Sequence, residues 1–490
     1  MTVASPATTI ASLPTAPARN GYTFAGWWTA ENGGGTEFTA TTAVTANITV
    51  YAKWSLKPVY TASFVDYDGT TVLLAETVAE NETATAPDPE PTKTGYIFDG
   101  WYADADCTTP WDFATKISKT TTIYARWKAR LTFHSGTGTG SMGDLYVAKS
   151  ASQTLPANTF THDGYEFVGW ATEENAKSIA YADKATVTET TGAFSLWACW
   201  TPVGAISADK LTYTITDGNI TISKYTGTEK NAVIPGWIDG HPVTSIASFA
   251  FQTNSSVTSI IIPDTFTSIG REAFSSCMNL ASVTIPSSVT TIGMLAFNSC
   301  SKLTSITIPS SVSSIEAGAF QSCSGLTSIT IPSSVTSMGD SAFYNCYGLT
   351  SVEIPSSITS ISQGAFGACA SLKSVIIPSS VTSIGISAFY QCTKLSSVTI
   401  PESVNSIGDF ALAGCSNLTA VTIPASVASI GNEAFTNLNL AVVTVRATTP
   451  PTIGSNVFNK AVPLKIYVPA GSVDAYKTSW SGYKDYIFQQ

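Results

Sequence analysis

The sequence has little charge for its length. Of 490 residues, 24 are Lys or Arg and 34 are Asp or Glu, a net charge of −10. No basic run occurs, which argues against a stripe that binds a phosphate backbone. Histidine is nearly missing, at 3 residues, and the 9 cysteines contain no Cys-x-x-Cys pair, so the usual zinc and dithiol signatures are not found. No stretch approaches the roughly 20 apolar residues of a membrane-spanning helix. The apolar share is still 44%, too high for a disordered chain. Ser and Thr stand where charge would be, which points to hydroxyl-rich β structure.

What the sequence does have is repetition. Proline recurs at 263, 286, 309, 332, 355, 378, 401 and 424, always 23 residues apart. In the same register come Phe251, Phe274, Phe297, Phe320, Phe343, Phe366, Phe389, Phe435 and Phe458, with Leu412 in the one gap. Cys277, Cys300, Cys323, Cys346, Cys369, Cys392 and Cys415 form a second column, and Leu280 to Leu418 a third. One residue is lost near Leu440, which moves Val443 and Val445 into the apolar places.

Each unit alternates apolar and hydroxyl residues twice, as in Ile306 and Ile308 against Ser305 and Thr307, which predicts short strands with one buried face. The Ala-Phe-x-x-Cys-x-x-Leu stretch spaces its apolar residues by three and predicts a helical or 3₁₀ turn. Pro turns the chain out of the ladder, and Gly270, Gly293, Gly339, Gly385, Gly408 and Gly431 are expected to supply a bend. A unit of this size cannot bury its own apolar face. Stacked units can, so the pattern predicts a parallel solenoid with columns of like residues.

On these residues the repeat resembles the BspA-type leucine-rich repeat, over about residues 205 to 490. Leu211 to Ile246 is similar to that family's opening unit. Ile466 to Trp480 resembles its closing cap, with Ser472 as the expected N-cap of a short helix.

A second motif occurs three times before it: Gly21-Tyr22-x-Phe24-x-Gly26-Trp27, Gly95-Tyr96-x-Phe98-x-Gly100-Trp101 and Gly164-Tyr165-x-Phe167-x-Gly169-Trp170. Each copy ends in an aromatic strand that closes on Trp54, Trp127 or Trp200. This pattern resembles the internalin-type B-repeat, or Listeria–Bacteroides repeat, over about residues 1 to 201, which implies small β-grasp-like modules that space domains on bacterial surface proteins. The fold expected is mostly β: tandem small modules, then a parallel leucine-rich-repeat solenoid with 23-residue coils and a C-terminal cap. The boundaries expected are 1–54, 55–128 and 129–203 for the modules, 204–256 for the opening unit, 257–445 for the repeats and 446–490 for the cap. Modules two and three open on apolar strands near Phe64 and Phe133. Module one has no counterpart to them, so the chain is expected to be a fragment of a longer protein, with any export signal outside it.

Chemistry has few candidates. Seven thiols in register could suggest metal or redox work. Stacked β-carbons ~4.8 Å apart do not suit the ~3.8 Å of a disulfide, and free Cys is among the most buried residue types. A buried structural ladder is therefore expected. His134, His162 and His241 fall in different segments and assemble no nucleophile–base pair. Asp66-Tyr67-Asp68-Gly69 lacks the carboxylates of a calcium loop and reads as a hairpin turn. The motif tryptophans could stack on sugars, but their fixed place in three modules fits core packing. Trp28, Tyr102 and Trp111 lie outside the shared motif.

No catalytic residue, cofactor or metal is expected. The outward strand columns are Ser and Thr, small and flat. Variation among the coils points to Tyr344, Tyr347 and Tyr390 as the candidate ligand contact, because interfaces concentrate energy in aromatic and Arg side chains. Tyr344 and Tyr390 hold one slot two coils apart, roughly 10 Å along the stack. By family resemblance the chain is expected to be a non-enzymatic bacterial protein, extracellular or on the cell surface. Its B-repeats would act as a spacer presenting the solenoid for adhesion to a host or neighbouring-cell protein or glycan, without nucleic acid and without membrane insertion by this chain. A structural envelope protein without a specific ligand, or an accessory region of a larger extracellular enzyme, is the alternative.

Overall fold

The structure is a computed structural model that describes residues 9–148, 151–188, 192–458 and 464–490. The chain forms two compact units. The first holds the residues up to Phe133 with Gly143–Ala157 and Lys184–Ser195, and the second holds His134–Met142, Asn158–Asp183 and Leu196–Gln490.

In the first unit β1 (Tyr22–Trp28), β2 (Glu37–Phe38) and β3 (Tyr51–Leu56) form a sheet in the order β2-β1-β3, all antiparallel. A second sheet is built from β4 (Val59–Val65), β5 (Val72–Ala79), β6 (Tyr96–Tyr102), β7 (Thr121–His134) and β8 (Leu145–Ala148). β4 pairs antiparallel with β5 and parallel with β7, while β6 and β8 pair antiparallel with different lengths of β7. β7 buries alternate residues from Ile123 through Ala125, Trp127, Ala129 and Leu131 to Phe133, so one unbroken strand crosses the position expected to separate modules two and three.

The Gly-Trp motif is a bulge. Register shifts between Phe24 and Trp27, between Phe98 and Trp101, and between Phe167 and Gly169. Gly100 sits in it at a φ of 113°, which a side chain would resist. The bulge aims one Trp at the motif Phe. Phe98 meets Trp101 and Trp127 edge-to-face at 5.1 and 5.5 Å, Phe24 meets Trp27 and Trp54 at 5.3 and 5.7 Å, and Phe167 meets Trp170 and Trp200 at 4.8 and 5.7 Å. The same trio in three places is core packing.

The second unit joins part of the third module to the solenoid. Strand Tyr165–Ala171 runs antiparallel to Phe194–Pro202. Trp237 packs against Ala171, Ala176 and Cys199. The Gly236 N–H donates to Thr201 Oγ1 at 3.0 Å, the Ile179 N–H to the Gly240 carbonyl at 2.8 Å, and His241 Nδ1 lies 2.9 Å from the Lys177 carbonyl. These bonds tie Lys177, Ile179 and Thr201 to the opening unit.

The solenoid starts at the antiparallel hairpin Leu211–Thr216 and Asn219–Tyr225, whose second strand pairs parallel with His241–Ile246. From there successive coils add rungs to two parallel ladders, each interrupted in places. One runs through Ser268–Ile269, Thr291–Ile292, Ser314–Ile315 and Ser337–Met338, and the other, in the coils that follow, through Ser328–Thr330, Ser351–Glu353, Ser374–Ile376 and Ser397–Thr399. Where the sequence loses a residue, Val421 faces Val443 and Ile423 faces Val445. One continuous core runs from Ile206 to Ile487, and the Phe, Cys and Leu columns within it are excluded from solvent. Each buried Phe or Leu contributes about 1.5–3 kcal/mol.

One local expectation is corrected. The six glycines do not bend the chain, since none has a positive φ. A Cβ at Gly385 would instead lie 2.7 Å from the Ile361 carbonyl oxygen of the preceding coil, so glycine is there for close approach. The bends come from two left-handed residues per coil. One column includes Glu272, Leu295, Gly318 and Ser341, and the other Ser322, Asn345, Ala368 and Gln391, with φ between 52° and 61°. The Phe-x-x-Cys-x-x-Leu stretch forms the expected i→i+3 turns without joining them into a continuous 3₁₀ helix. Its i→i+3 bonds, such as Cys346 N–H to Phe343 and Leu349 N–H to Cys346, are separate turns because the left-handed residue interrupts them.

The end is capped by strand Lys465–Val468, α1 (Val473–Ser479) and strand Ile487–Gln489. Ser472 occupies the N-cap position but makes no side-chain capping bond. It is buried, and its carbonyl accepts the Tyr476 N–H. Tyr476 Oη donates to the Ala447 carbonyl at 2.7 Å and Trp480 Nε1 to the Pro451 carbonyl at 2.9 Å, which fixes the helix over the last coil. No helix among the described residues is long and apolar enough to cross a membrane.

Candidate functional site

The cysteine column has a structural task. Each thiol points at the carbonyl of the Phe one coil back: Cys277 to Phe251 at 3.0 Å, Cys323 to Phe297 at 3.1 Å and Cys346 to Phe320 at 3.2 Å, through to Cys415 and Phe389 at 3.2 Å. Small enough for a crowded corner, Cys still donates an S–H to the second lone pair of a carbonyl that already accepts an N–H of its own turn, as the Phe320 carbonyl accepts the Cys323 N–H at 3.2 Å. Burial pushes the Cys323 and Cys369 thiols up to about 12 and holds Cys346 well above the usual 9.0, so the thiolate is suppressed. Hydroxyls do similar work at another corner, where Ser311, Ser334 and Ser357 donate to the carbonyls of Val289, Val312 and Val335.

The histidines are in packing positions. His134 stacks on Trp197 at 4.5 Å and His162 on Tyr165 at 3.9 Å. Asp66 and Asp68 close the β4–β5 hairpin. The Asp68 carboxylate takes the N–H groups of Thr70 and Thr71, which lowers it to about 2. Asp66 is nearly buried and accepts from Trp127 Nε1 at 2.7 Å and Lys93 Nζ at 2.9 Å. Both carboxylates are therefore engaged in the turn. Of the aromatics outside the shared motif, Tyr102 is buried beneath the Arg126 guanidinium, Trp28 lies under Lys53 Nζ at 3.9 Å, and Trp111 is half-buried.

The three candidate tyrosines all lie on the turn side of the coils but are not equivalent. Tyr347 is 50% exposed, whereas Tyr344 and Tyr390 are half-buried. Tyr344 leans onto the next coil: a Cβ at Gly367, which holds the same slot there, would meet its ring at 2.7 Å. Tyr390 Oη accepts from Gln391 Nε2 at 3.1 Å. The Phe column beneath keeps ring centroids 5.5 and 5.7 Å apart from Phe343 through Phe366 to Phe389, so Tyr344 and Tyr390 stand two such steps apart. No ring contact joins any two of the three among the described residues.

Sequence reasoning passed over Glu402 and Arg446, whose Nη1–Oε1 pair at 2.9 Å spans two coils. The signal was available: Glu402 stands where the five preceding coils have Ser287, Ser310, Ser333, Ser356 and Ser379.

This architecture is that of a leucine-rich-repeat solenoid protein preceded by small β modules. Residues 244–369 and 336–465 match the BspA type Leucine rich repeat region, and residues 2–53, 60–126 and 130–198 match the Listeria-Bacteroides repeat domain, so the chain carries both kinds of repeat. A leucine-rich repeat protein from Bacteroides ovatus is similar in structure, with a TM-score of 0.50 and 33% identity, over 55% of this chain and 71% of that one. Internalin H of Listeria monocytogenes is 42% identical over 106 residues, 21% of this chain and 18% of that protein. An Evansella cellulosilytica protein with the provisional name Gly-rich membrane protein is 33% identical over 163 residues, 32% of this chain and 18% of that protein. The matched region is thus under a fifth of the length of either curated relative. Both repeat types are those of surface protein-interaction scaffolds.

Proposed function

We propose that the chain is a non-enzymatic adhesion scaffold, extracellular or on a bacterial cell surface, whose solenoid binds a protein or glycan of a host or neighbouring cell. In this reading the Listeria–Bacteroides modules are the spacer. The observation that carries it is the contrast between two aromatic columns. The Phe column is fully buried, while Tyr344, Tyr347 and Tyr390 stand beside it toward solvent on a turn surface that is elsewhere mostly small and polar, apart from Phe249, Met278, Met294 and Ile386. Tyrosine supplies contact area at low conformational cost, and a tyrosine cluster is a fitting anchor on a surface short of charge.

The test is binding of the full chain to immobilised matrix proteins and to a glycan array, wild type against the Tyr344→Ala, Tyr347→Ala, Tyr390→Ala triple variant. The reading expects a saturable hit that the variant loses while its melting transition stays cooperative. Tyr347→Ala alone, at the most exposed of the three side chains, should weaken the same hit. A hit that the triple variant keeps rejects the tyrosine cluster. A blank across the panel favours a structural envelope protein or an accessory region of a larger extracellular enzyme.

A further inference from the structure

The ladder on the hydroxyl-rich strand face is interrupted. It is continuous from Ser328–Thr330 to Ser397–Thr399 and starts again at Ala420–Ile423, but no ladder hydrogen bond joins Ser397–Thr399 to Ala420–Ile423. Between those rungs is a groove of about 470 Å³. Its floor is apolar and partly open. Val398 is half-buried, whereas the same column is buried at Ile329, Val352, Val375 and Val421. The ladder also breaks between Ser282–Thr284 and the coil of Thr307, but there the inward Val283 and Ile306 remain buried.

One end of the groove is built from the two charged residues that depart from the repeat. The Glu402 carboxylate accepts from Arg446 Nη1 at 2.9 Å and from the Ala425 N–H at 3.3 Å, across the coil between them. Thr399 and Thr422 present hydroxyls from the facing rungs.

We propose that this groove binds a neutral sugar of one or two rings. The unjoined rungs offer N–H donors and C=O acceptors side by side, and a partner that meets both needs groups that donate and accept alike, as sugar hydroxyls do. The half-buried Val398 offers its open side to the apolar face of a pyranose ring. The Glu402–Arg446 pair neutralises itself, so it offers planar hydrogen-bonding groups without selecting a charged ligand. The volume is in the lower part of the roughly 300–1,000 Å³ of small-molecule sites. The site does not depend on the tyrosine cluster.

The test uses the full chain with glucose, galactose, N-acetylglucosamine, lactose and chitobiose, read by saturation-transfer NMR and by amide hydrogen exchange. At least one sugar should bind saturably. Amides of 397–399 and 420–422 should exchange faster than those of 351–353 in the free protein and slow when that sugar is added. Glu402→Ser, which restores the residue of the other coils, should weaken binding about tenfold with an unchanged melting point, and Thr399→Val should act alike. The tyrosine triple variant should bind the sugar as wild type does. Absence of binding by all five sugars, equal binding by Glu402→Ser, or equally slow exchange at 397–399 and 351–353 would each overturn the proposal. Displacement of the sugar by a Ser/Thr-rich peptide of equal or higher affinity would do so in favour of a protein partner.

Discussion

The Cys346 thiol donates to the Phe320 carbonyl, 3.2 Å away in the preceding coil, and the same contact links Cys369 to Phe343 and Cys392 to Phe366. The columns are thus tied by directional bonds as well as by stacked rings. Replacing Cys346 with Ala removes one of two bonds that the Phe320 carbonyl accepts, the other coming from the Cys323 N–H at 3.2 Å, at an expected cost of about 0.5–1.5 kcal/mol. Denaturant unfolding of C346A measures it. Thiol-labelling reagents should modify the seven column cysteines only after unfolding.

These thiols also set an alkaline limit. The folded values of Cys277, Cys323 and Cys369 are raised by burial to about 12, while an unfolded thiol ionises near its usual 9.0. Above that value the unfolded chain has lost protons that the folded chain keeps, so stability falls as pH rises. It should be fully present below about pH 9 and decline up to about pH 12, with each such thiol adding a slope of about 1.4 kcal/mol per unit. Unfolding midpoints measured from pH 8 to 11 test this, and an Ala substitution at Cys323 should flatten the slope.

Phe343 stacks between Phe320 at 5.4 Å and Phe366 at 5.5 Å with no solvent contact. Phe343→Ala should cost about 3–5 kcal/mol. Because each coil rests on its neighbours, hydrogen-exchange protection should fall in the adjoining coils as well as its own.

The left-handed column gives a prediction of opposite sign. Ala368 and Gln391 have φ of 57° and 54°, where a Cβ is strained, and Gly414 holds the same slot one coil on. Ala368→Gly should raise stability by up to about 1 kcal/mol, and Gly414→Ala should lower it by about as much. Gly385→Ala has a different fault, a Cβ 2.7 Å from the Ile361 carbonyl oxygen, and should cost about 1–3 kcal/mol. Thermal melts of the three variants separate the two uses of glycine.

The period made most of the solenoid readable, because a 23-residue register places Phe251 to Phe458 in one column however each coil is folded. The same register hid how the coil turns. Glu272, Ser276 and Ala368 share a left-handed conformation that their side chains do not advertise, and the conspicuous glycines answer to the neighbouring coil. The Phe–Trp–Trp trio was visible as a motif. The division of the third module between two units was not, because it depends on Trp237 and His241, far along the chain. The tyrosines could be picked out as departures from the column. That Tyr344 spreads over Gly367 follows from a residue missing its side chain one coil away. Glu402 was an equally visible departure, and its partner Arg446, two coils on, becomes apparent only when the coils are stacked.

The central claim is that the solenoid of this scaffold binds a partner through the tyrosine side of its turns. The most direct measurement is surface-plasmon-resonance binding of the full chain to matrix proteins and glycans, wild type beside the Tyr344, Tyr347, Tyr390 triple alanine variant. The account predicts a saturable response that is weakly salt-dependent, since little charge lines the coils, and that the variant loses while remaining folded. A saturable response that the variant retains in full would contradict it.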